Sequence, residues 1–132
     1  GVYLSVSFFS IVLRMAYGLG VRAMAGGSFK RPMATVAWPS GEFGGMGLEG
    51  AVKLAYRNEL AQIEDPAERR RRYDEMVAQM YERGKALSIS TIFGVDDTID
   101  PADSRKWLAS LLKSVRWPQT RDGKKRPAID AW

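Results

Sequence analysis

The sequence contains no cysteine and no histidine. Without cysteine it can form neither a disulfide nor a thiolate metal site. Without histidine it lacks the commonest general base, the commonest metal ligand and every Ser-His or Cys-His nucleophile arrangement. Its chemistry must rest on carboxylates, lysine, tyrosine or backbone N–H groups, and no metal site is expected. Long apolar runs are missing too. The stretch 2–13 (VYLSVSFFSIVL) is interrupted by Ser5, Ser7 and Ser10 and falls well short of the ~20 residues that a membrane helix needs. Its β-branched and aromatic content reads instead as a buried strand.

What is present is the composition of a folded domain: 132 residues, 45% apolar and 27% charged, with four Trp, five Tyr and five Phe to fill a core. The net charge of +5 raises anionic partners: nucleic acid, a membrane surface or the phosphates of CoA. That charge is not gathered into one arm. The run Arg69-Arg70-Arg71-Arg72 lies among Asp65, Glu68, Asp74 and Glu75, so its field is cancelled locally and it reads as a solvated helix face. The tail from Arg121 to Arg126 is basic but lacks the interleaved aromatics of a nucleic-acid-binding surface.

Along the chain, 8–13 reads as a strand, 16–20 as a tight turn and 21–25 as a short helix closed by Gly26-Gly27. The segment 33–38 reads as a second strand closed by Pro39, and the glycine-rich stretch 40–50 as a second strand-to-helix turn. Leu48, Val52, Tyr56 and Leu60 recur at four-residue spacing and predict one helix over 47–63. Asp65-Pro66 is a helix start, with Tyr73, Met76, Val77, Met80 and Leu87 on its apolar stripe. Asp100-Pro101 repeats the signal, and Trp107, Leu108, Leu111 and Leu112 supply that face. Strand, turn and helix in alternation is an α/β pattern. Two or three strands do not make a covered sheet alone, so the chain is expected to be part of something longer.

At each glycine-rich turn a strand ends and a helix begins with unpaired backbone N–H groups. Such donors can hold an anion or a developing oxyanion without any side chain, although most turns of this kind are only connections. Gly18-Leu19-Gly20 contains a GxG, but Val21-Arg22-Ala23 supplies no third glycine, so a dinucleotide fingerprint fails. No P-loop is present either. Glu42 and Glu49 read as helix-start carboxylates, with a role in ordering the site as the alternative.

Three segments carry a resemblance. They are 14–24 (RMAYGLGVRAM), 36–52 (VAWPSGEFGGMGLEGAV) and 96–105 (DDTIDPADSR). Together, and in this order, they resemble the carboxyltransferase subunits of acetyl-, propionyl- and methylcrotonyl-type biotin-dependent acyl-CoA carboxylases. The resemblance implies a crotonase-like α/β fold of ββα superhelical units, with residues 1–132 forming the later part of a C-domain and the N-domain absent. It implies a carboxyl group transferred from carboxybiotin to an acyl-CoA, with biotin carried on a biotin carboxylase or biotin carboxyl carrier subunit. A cytoplasmic homo-oligomer that binds neither nucleic acid nor membrane is implied as well. The family's motif places the backbone N–H groups of Leu19 and Gly20 as the oxyanion hole for biotin; Gly18, Arg22 and Trp38 are the substrate-binding candidates beside it, Trp38 as core or pocket wall and not as a stacking platform. The chain departs from the family where two glycines and an alanine give way to Gly18, Leu19 and Gly20. It departs again at Arg22, which stands where several members have an acidic residue: either it favours an acyl group bearing negative charge, or it simply faces solvent or an ion pair. A crotonase-like acyl-CoA decarboxylase and a basic nucleic-acid-binding module are the alternative readings.

Overall fold

Residues 6–115 are described by the computed structural model. Two short strands, β1 (Phe9–Val12) and β2 (Met15–Tyr17), lead into helix α1 (Gly18–Met24). The order then repeats as β3 (Ala34–Ala37), β4 (Glu42–Gly44) and α2 (Leu48–Ala55). Equivalent strands pair in parallel: Phe9 with Ala34 through Val12 with Ala37, and Met15 with Glu42 through Tyr17 with Gly44. These are two successive ββα units, the crotonase-like arrangement. A fifth strand, β5 (Asp97–Thr98), adds to β3 to complete a three-stranded sheet of order β1-β3-β5.

The central strand carries the core. All four residues of β3 are buried, the pattern of a strand covered on both faces. Val36 on β3, Val52 on α2 and Val95 are essentially inaccessible, and Ala16, Ala37, Phe43 and Ala86 join them. Phe29 meets Phe43 edge to face at 5.7 Å. Thr35 is the one buried polar side chain among the described residues. Its hydroxyl donates to Phe29 O at 2.5 Å, and its N–H donates to Asp96 Oδ2 at 2.7 Å.

The expected helix start at Asp65 is present. Asp65 accepts from the N–H groups of Ala67 and Glu68, and Pro66 opens the 19-residue α4 (Pro66–Gly84). Met76 is buried, and Tyr73, Val77 and Met80 are half-buried beneath it. Asp100 caps a single 3-10 turn through Ala102 N–H at 2.8 Å before α6 (Ser104–Ser114) begins. Gly26 and Gly27 take positive φ and close α1 with bonds from Gly26 N to Ala23 O and Gly27 N to Arg22 O, as their sequence requires. Three members of the arginine run pair with acids: Arg70 with Asp74, Arg71 with Glu68 and Glu75, and Arg72 with Glu59 and Glu75.

Four expectations are corrected. The tight turn over 16–20 is the end of β2 and the start of α1, which begins at Gly18. The stretch 40–50 contains strand β4 rather than a plain turn. The helix over 47–63 is two: Tyr56 (φ −108°, ψ 19°) breaks it, and α3 (Arg57–Ala61) follows. Leu87 leaves the stripe of α4 because Lys85 is extended (φ −59°, ψ 145°) and bridges Glu42. Leu87 therefore belongs to α5 (Ala86–Thr91) and is exposed. The basic tail from Arg116 lies outside the described residues.

Close backbone approach fixes the seat of α4. A Cβ added at Gly84 would lie 2.6 Å from Phe43 O, whereas one at Gly50 on α2 would meet only Met46 Cε at 3.8 Å. Gly84→Ala is expected to destabilise by about 1–3 kcal/mol. Gly50→Ala is expected to stabilise by about 0.5–1 kcal/mol through helix propensity. Thermal unfolding measures both, and shifts of the same sign would contradict this packing.

Candidate functional site

The β2–β4 pairing brings the two glycine-rich segments face to face. Tyr17 stands opposite Gly44, and a Cβ at Gly18 would sit 3.5 Å from Gly45 O. Gly18 has φ +67°, a left-handed conformation that glycine adopts without steric cost. It turns the chain from β2 directly into α1. Tyr17, at the N-cap position of α1, makes no side-chain capping bond, so the leading N–H groups of the helix keep their donor capacity.

A cavity of about 460 Å³ opens at this corner. Ala16, Val21, Phe29, Phe43 and Ile89 form its apolar walls, and Gly44, Gly45 and Gly94 admit close approach to the backbone. Of the expected site residues, Gly18, Leu19 and Arg22 line it. Leu19 turns most of its side chain outward, 81% exposed, and reaches the cavity from its rim. Gly20 is not among the walls. It sits one residue further along the same corner, with nothing within 4 Å of where its Cβ would be. Arg22 is the one charged residue of the lining, and its side chain makes no ion pair among the described residues.

Trp38 is not brought to this cavity. Its indole Nε1 donates to Ser104 Oγ at 2.9 Å, which ties the end of β3 to the first turn of α6. Glu42 is not a helix-start carboxylate either. It lies on β4 and accepts the phenol O–H of Tyr17 at 2.8 Å. Burial, followed by that bond to a carboxylate, raises the Tyr17 pKa far above the usual phenol value. Glu49 is in the first turn of α2, as expected, and accepts from Tyr81 O–H at 2.7 Å. The link between Tyr17 and Glu42 was invisible in the sequence because the two lie 25 positions apart on strands too short to show an alternating pattern.

A larger cavity of about 550 Å³ lies between β5 and α6, with Asp97, Asp100, Asp103, Lys106 and Trp107 among its walls. Its carboxylates are partly engaged: Asp97 accepts from Thr98 N–H at 2.7 Å, and Asp100 is the cap of the 3-10 turn. Among the described residues no cluster of acidic side chains could hold a metal ion, and no helix is long and apolar enough to cross a membrane.

The cavity thus combines apolar walls with the backbone of the Gly18 corner and the Arg22 guanidinium.

Comparison with known proteins gives the arrangement its relatives. The carboxyl transferase domain model matches residues 3–127. The methylmalonyl-CoA carboxyltransferase 12S subunit of Propionibacterium freudenreichii subsp. shermanii is 36% identical over 88% of this chain, and the match covers 22% of that protein. The propionyl-CoA carboxylase carboxyltransferase subunit of Haloferax mediterranei is 34% identical over 87% of the chain and is covered to the same 22%. The chain thus spans about a fifth of the length of these relatives. Among solved structures, a single-chain, multi-domain long-chain acyl-CoA carboxylase is 55% identical, with a TM-score of 0.66 over 82% of this chain and 10% of that one. The transcarboxylase 12S hexamer, with methylmalonyl-CoA bound, superposes with a TM-score of 0.74 at 29% identity, over 94% of this chain and 24% of that one.

The two ends of the corner differ in what a methyl group would meet. Gly18→Ala is expected to destabilise by about 1–2 kcal/mol because it forces a left-handed residue. Gly20→Ala, where no positive φ is imposed and the space is open, should leave the melting temperature unchanged or raise it. Equal losses in the two variants would argue against the conformation of this corner.

Proposed function

Because the chain belongs to the carboxyl transferase domain family, we propose that its parent protein moves a carboxyl group from carboxybiotin to an acyl-CoA. The observation that carries this reading is the apolar cavity at the Gly18–Gly20 corner. It is assembled by the pairing of two ββα units and lies within the segments matched to that family. Bound carboxybiotin would supply the carboxyl group, and the biotin it leaves would take up negative charge on its ureido oxygen and accept the α-proton of the acyl-CoA. The chain's own contribution is dipolar. The N–H groups of Leu19 and Gly20 are the donors for that charge, acting where the apolar walls lower the local dielectric. Phe29, Phe43 and Val21 exclude water from the same space. No histidine is needed for this work, which fits a sequence that has none.

Gly18 and Arg22 are the contacts proposed for the substrate side. Arg22 offers a guanidinium that makes no ion pair among the described residues to an acyl group that carries, or is about to carry, a carboxylate. Trp38 is left out of this assignment because its indole is engaged with Ser104. The parent protein is proposed to work in the cytoplasm as a homo-oligomer that receives biotin from a carrier subunit or domain.

A second reading has its own support. The methylmalonyl-CoA decarboxylase subunit alpha of Propionigenium modestum is 31% identical over 80% of this chain, with 20% of that protein covered. The two are separated by incubating the full-length parent with malonyl- and methylmalonyl-CoA, with and without free biotin. Biotin-dependent loss of the carboxyl group is the expected result, and turnover indifferent to biotin would favour the decarboxylase. Acetyl-, propionyl- and palmitoyl-CoA as forward acceptors would then rank the acyl group.

The donor role has a sharper test. Gly20→Pro removes one N–H at a first-turn position, where proline is tolerated, while Gly20→Ala keeps that donor. Gly20→Pro is expected to lower kcat for carboxyl transfer about 10²–10³-fold with acyl-CoA affinity nearly unchanged. Gly20→Ala should stay close to the parent. Equal activity of the two variants would remove the backbone donor from the mechanism.

A further inference from the structure

Strand β2 ends at Tyr17, and the corner that borders the cavity begins one residue later. The backbone ladder with β4 fixes β2 up to that point. Beyond it, α1 starts at a glycine with positive φ and without a side-chain cap. Tyr17 is held by more than the ladder: its phenol O–H donates to Glu42 Oε2 at 2.8 Å. Glu42 is itself anchored from two sides. Its N–H donates to Arg14 O at 2.8 Å, and its backbone bridges that of Lys85. The adjoining Gly41 O accepts from Ala86 N–H at 2.9 Å. The Tyr17 ring lies against Gly44, where a Cβ would come within 3.2 Å of Cδ1. Tyr17 keeps its proton throughout the physiological range, because burial and the neighbouring carboxylate both disfavour the phenolate.

We propose that the Tyr17–Glu42 pair is a positioning device that sets the Gly18–Gly20 corner at the cavity and acts on the transfer step through it. The proposal rests on the carboxyl-transfer reading. Neither residue is among the cavity walls, so the pair touches no ligand there and works only through the backbone that Tyr17 carries. The leverage is geometric. Tyr17, which carries the phenol, is bonded directly to Gly18, and dipolar stabilisation depends on the placement of its donors. A misplacement of about 1 Å at a reacting centre can cost ~10²-fold in rate.

The test uses the full-length parent with its biotin-bearing partner. Tyr17→Phe keeps the ring against Gly44 and deletes the O–H. It is expected to lower kcat ten- to a hundred-fold while KM for acyl-CoA stays within two-fold. Glu42→Gln, whose amide oxygen still accepts from the phenol, should recover most of the rate. Glu42→Leu should match Tyr17→Phe and gives the same readout from the other partner if the Tyr17 variant folds poorly. The double variant Tyr17→Phe/Glu42→Leu should be no slower than either single one, because one bond is lost in each case. Full kcat in Tyr17→Phe with biotin-dependent turnover intact would overturn the proposal and leave the carboxyl-transfer reading standing. A lowered melting temperature with kcat unchanged would overturn it too, as the mark of a merely structural bond. Absence of biotin-dependent turnover in the unmodified parent would fail the reading itself and the proposal with it.

Discussion

Parallel strands cannot be joined by a hairpin, so β2 and β4 meet only because the chain makes a full circuit between them. That circuit runs from α1 through β3, and it closes because β1 and β3 pair over four residues in a buried, apolar ladder. The three-residue pairing of β2 with β4 is carried by it. Once Ala16 is in register with Phe43 and Tyr17 with Gly44, the two glycine-rich segments lie together and the cavity follows. A slip of one residue would turn every side chain of β2 to the other face and move Ala16, now 2% exposed, out of the core.

A strand of three residues is marginal by itself, and β4 is supported from the far side as well. The end of α4 seats Gly84 directly on the Phe43 carbonyl. The chain then leaves the helix at Lys85 to bridge Glu42 and bond Gly41 through Ala86. A local feature at Asp65 thereby reaches the site: the cap sets where α4 begins, and the 19 residues that follow bring Gly84 to β4. Glycine is required at this crossing for its missing Cβ, because two backbones come closer there than any side chain allows.

The parts of the fold that were legible in the sequence are those with local causes. Asp65-Pro66 and Asp100-Pro101 satisfy their own first-turn donors, and Gly26-Gly27 stop α1 by their own backbone freedom. β2 and β4 were not legible as strands. Three residues are too few for an alternating pattern to show, and what makes them strands is their pairing with each other. The four-residue spacing Leu48, Val52, Tyr56, Leu60 gave one helix where there are two, since Leu48 and Val52 are buried and Tyr56 and Leu60 half-buried on both sides of the break. A pattern of burial survives a break that keeps both pieces facing the core. At the site, Gly18, Leu19 and Arg22 were legible through the resemblance, and the structure brings these three to one cavity. Trp38 was expected at the substrate, but its indole bonds Ser104 and it is not among the cavity walls.

Among the described residues Arg22 is the one charged wall of the cavity, with no carboxylate, lysine or tyrosine beside it. In the proposed mechanism, stabilisation of developing charge there comes from fixed dipoles and from that guanidinium. An acid–base pair can correct a small misplacement by moving a proton along a hydrogen bond. A backbone N–H can do neither and acts only where the fold has put it. A dipolar site therefore transfers its demands outward, to whatever holds the backbone. In the proposed mechanism that burden falls on a glycine with φ +67°, on a three-residue strand pairing and on a phenol bound to a carboxylate beyond the cavity wall. The residues that matter most to such chemistry need not touch the molecules it acts on.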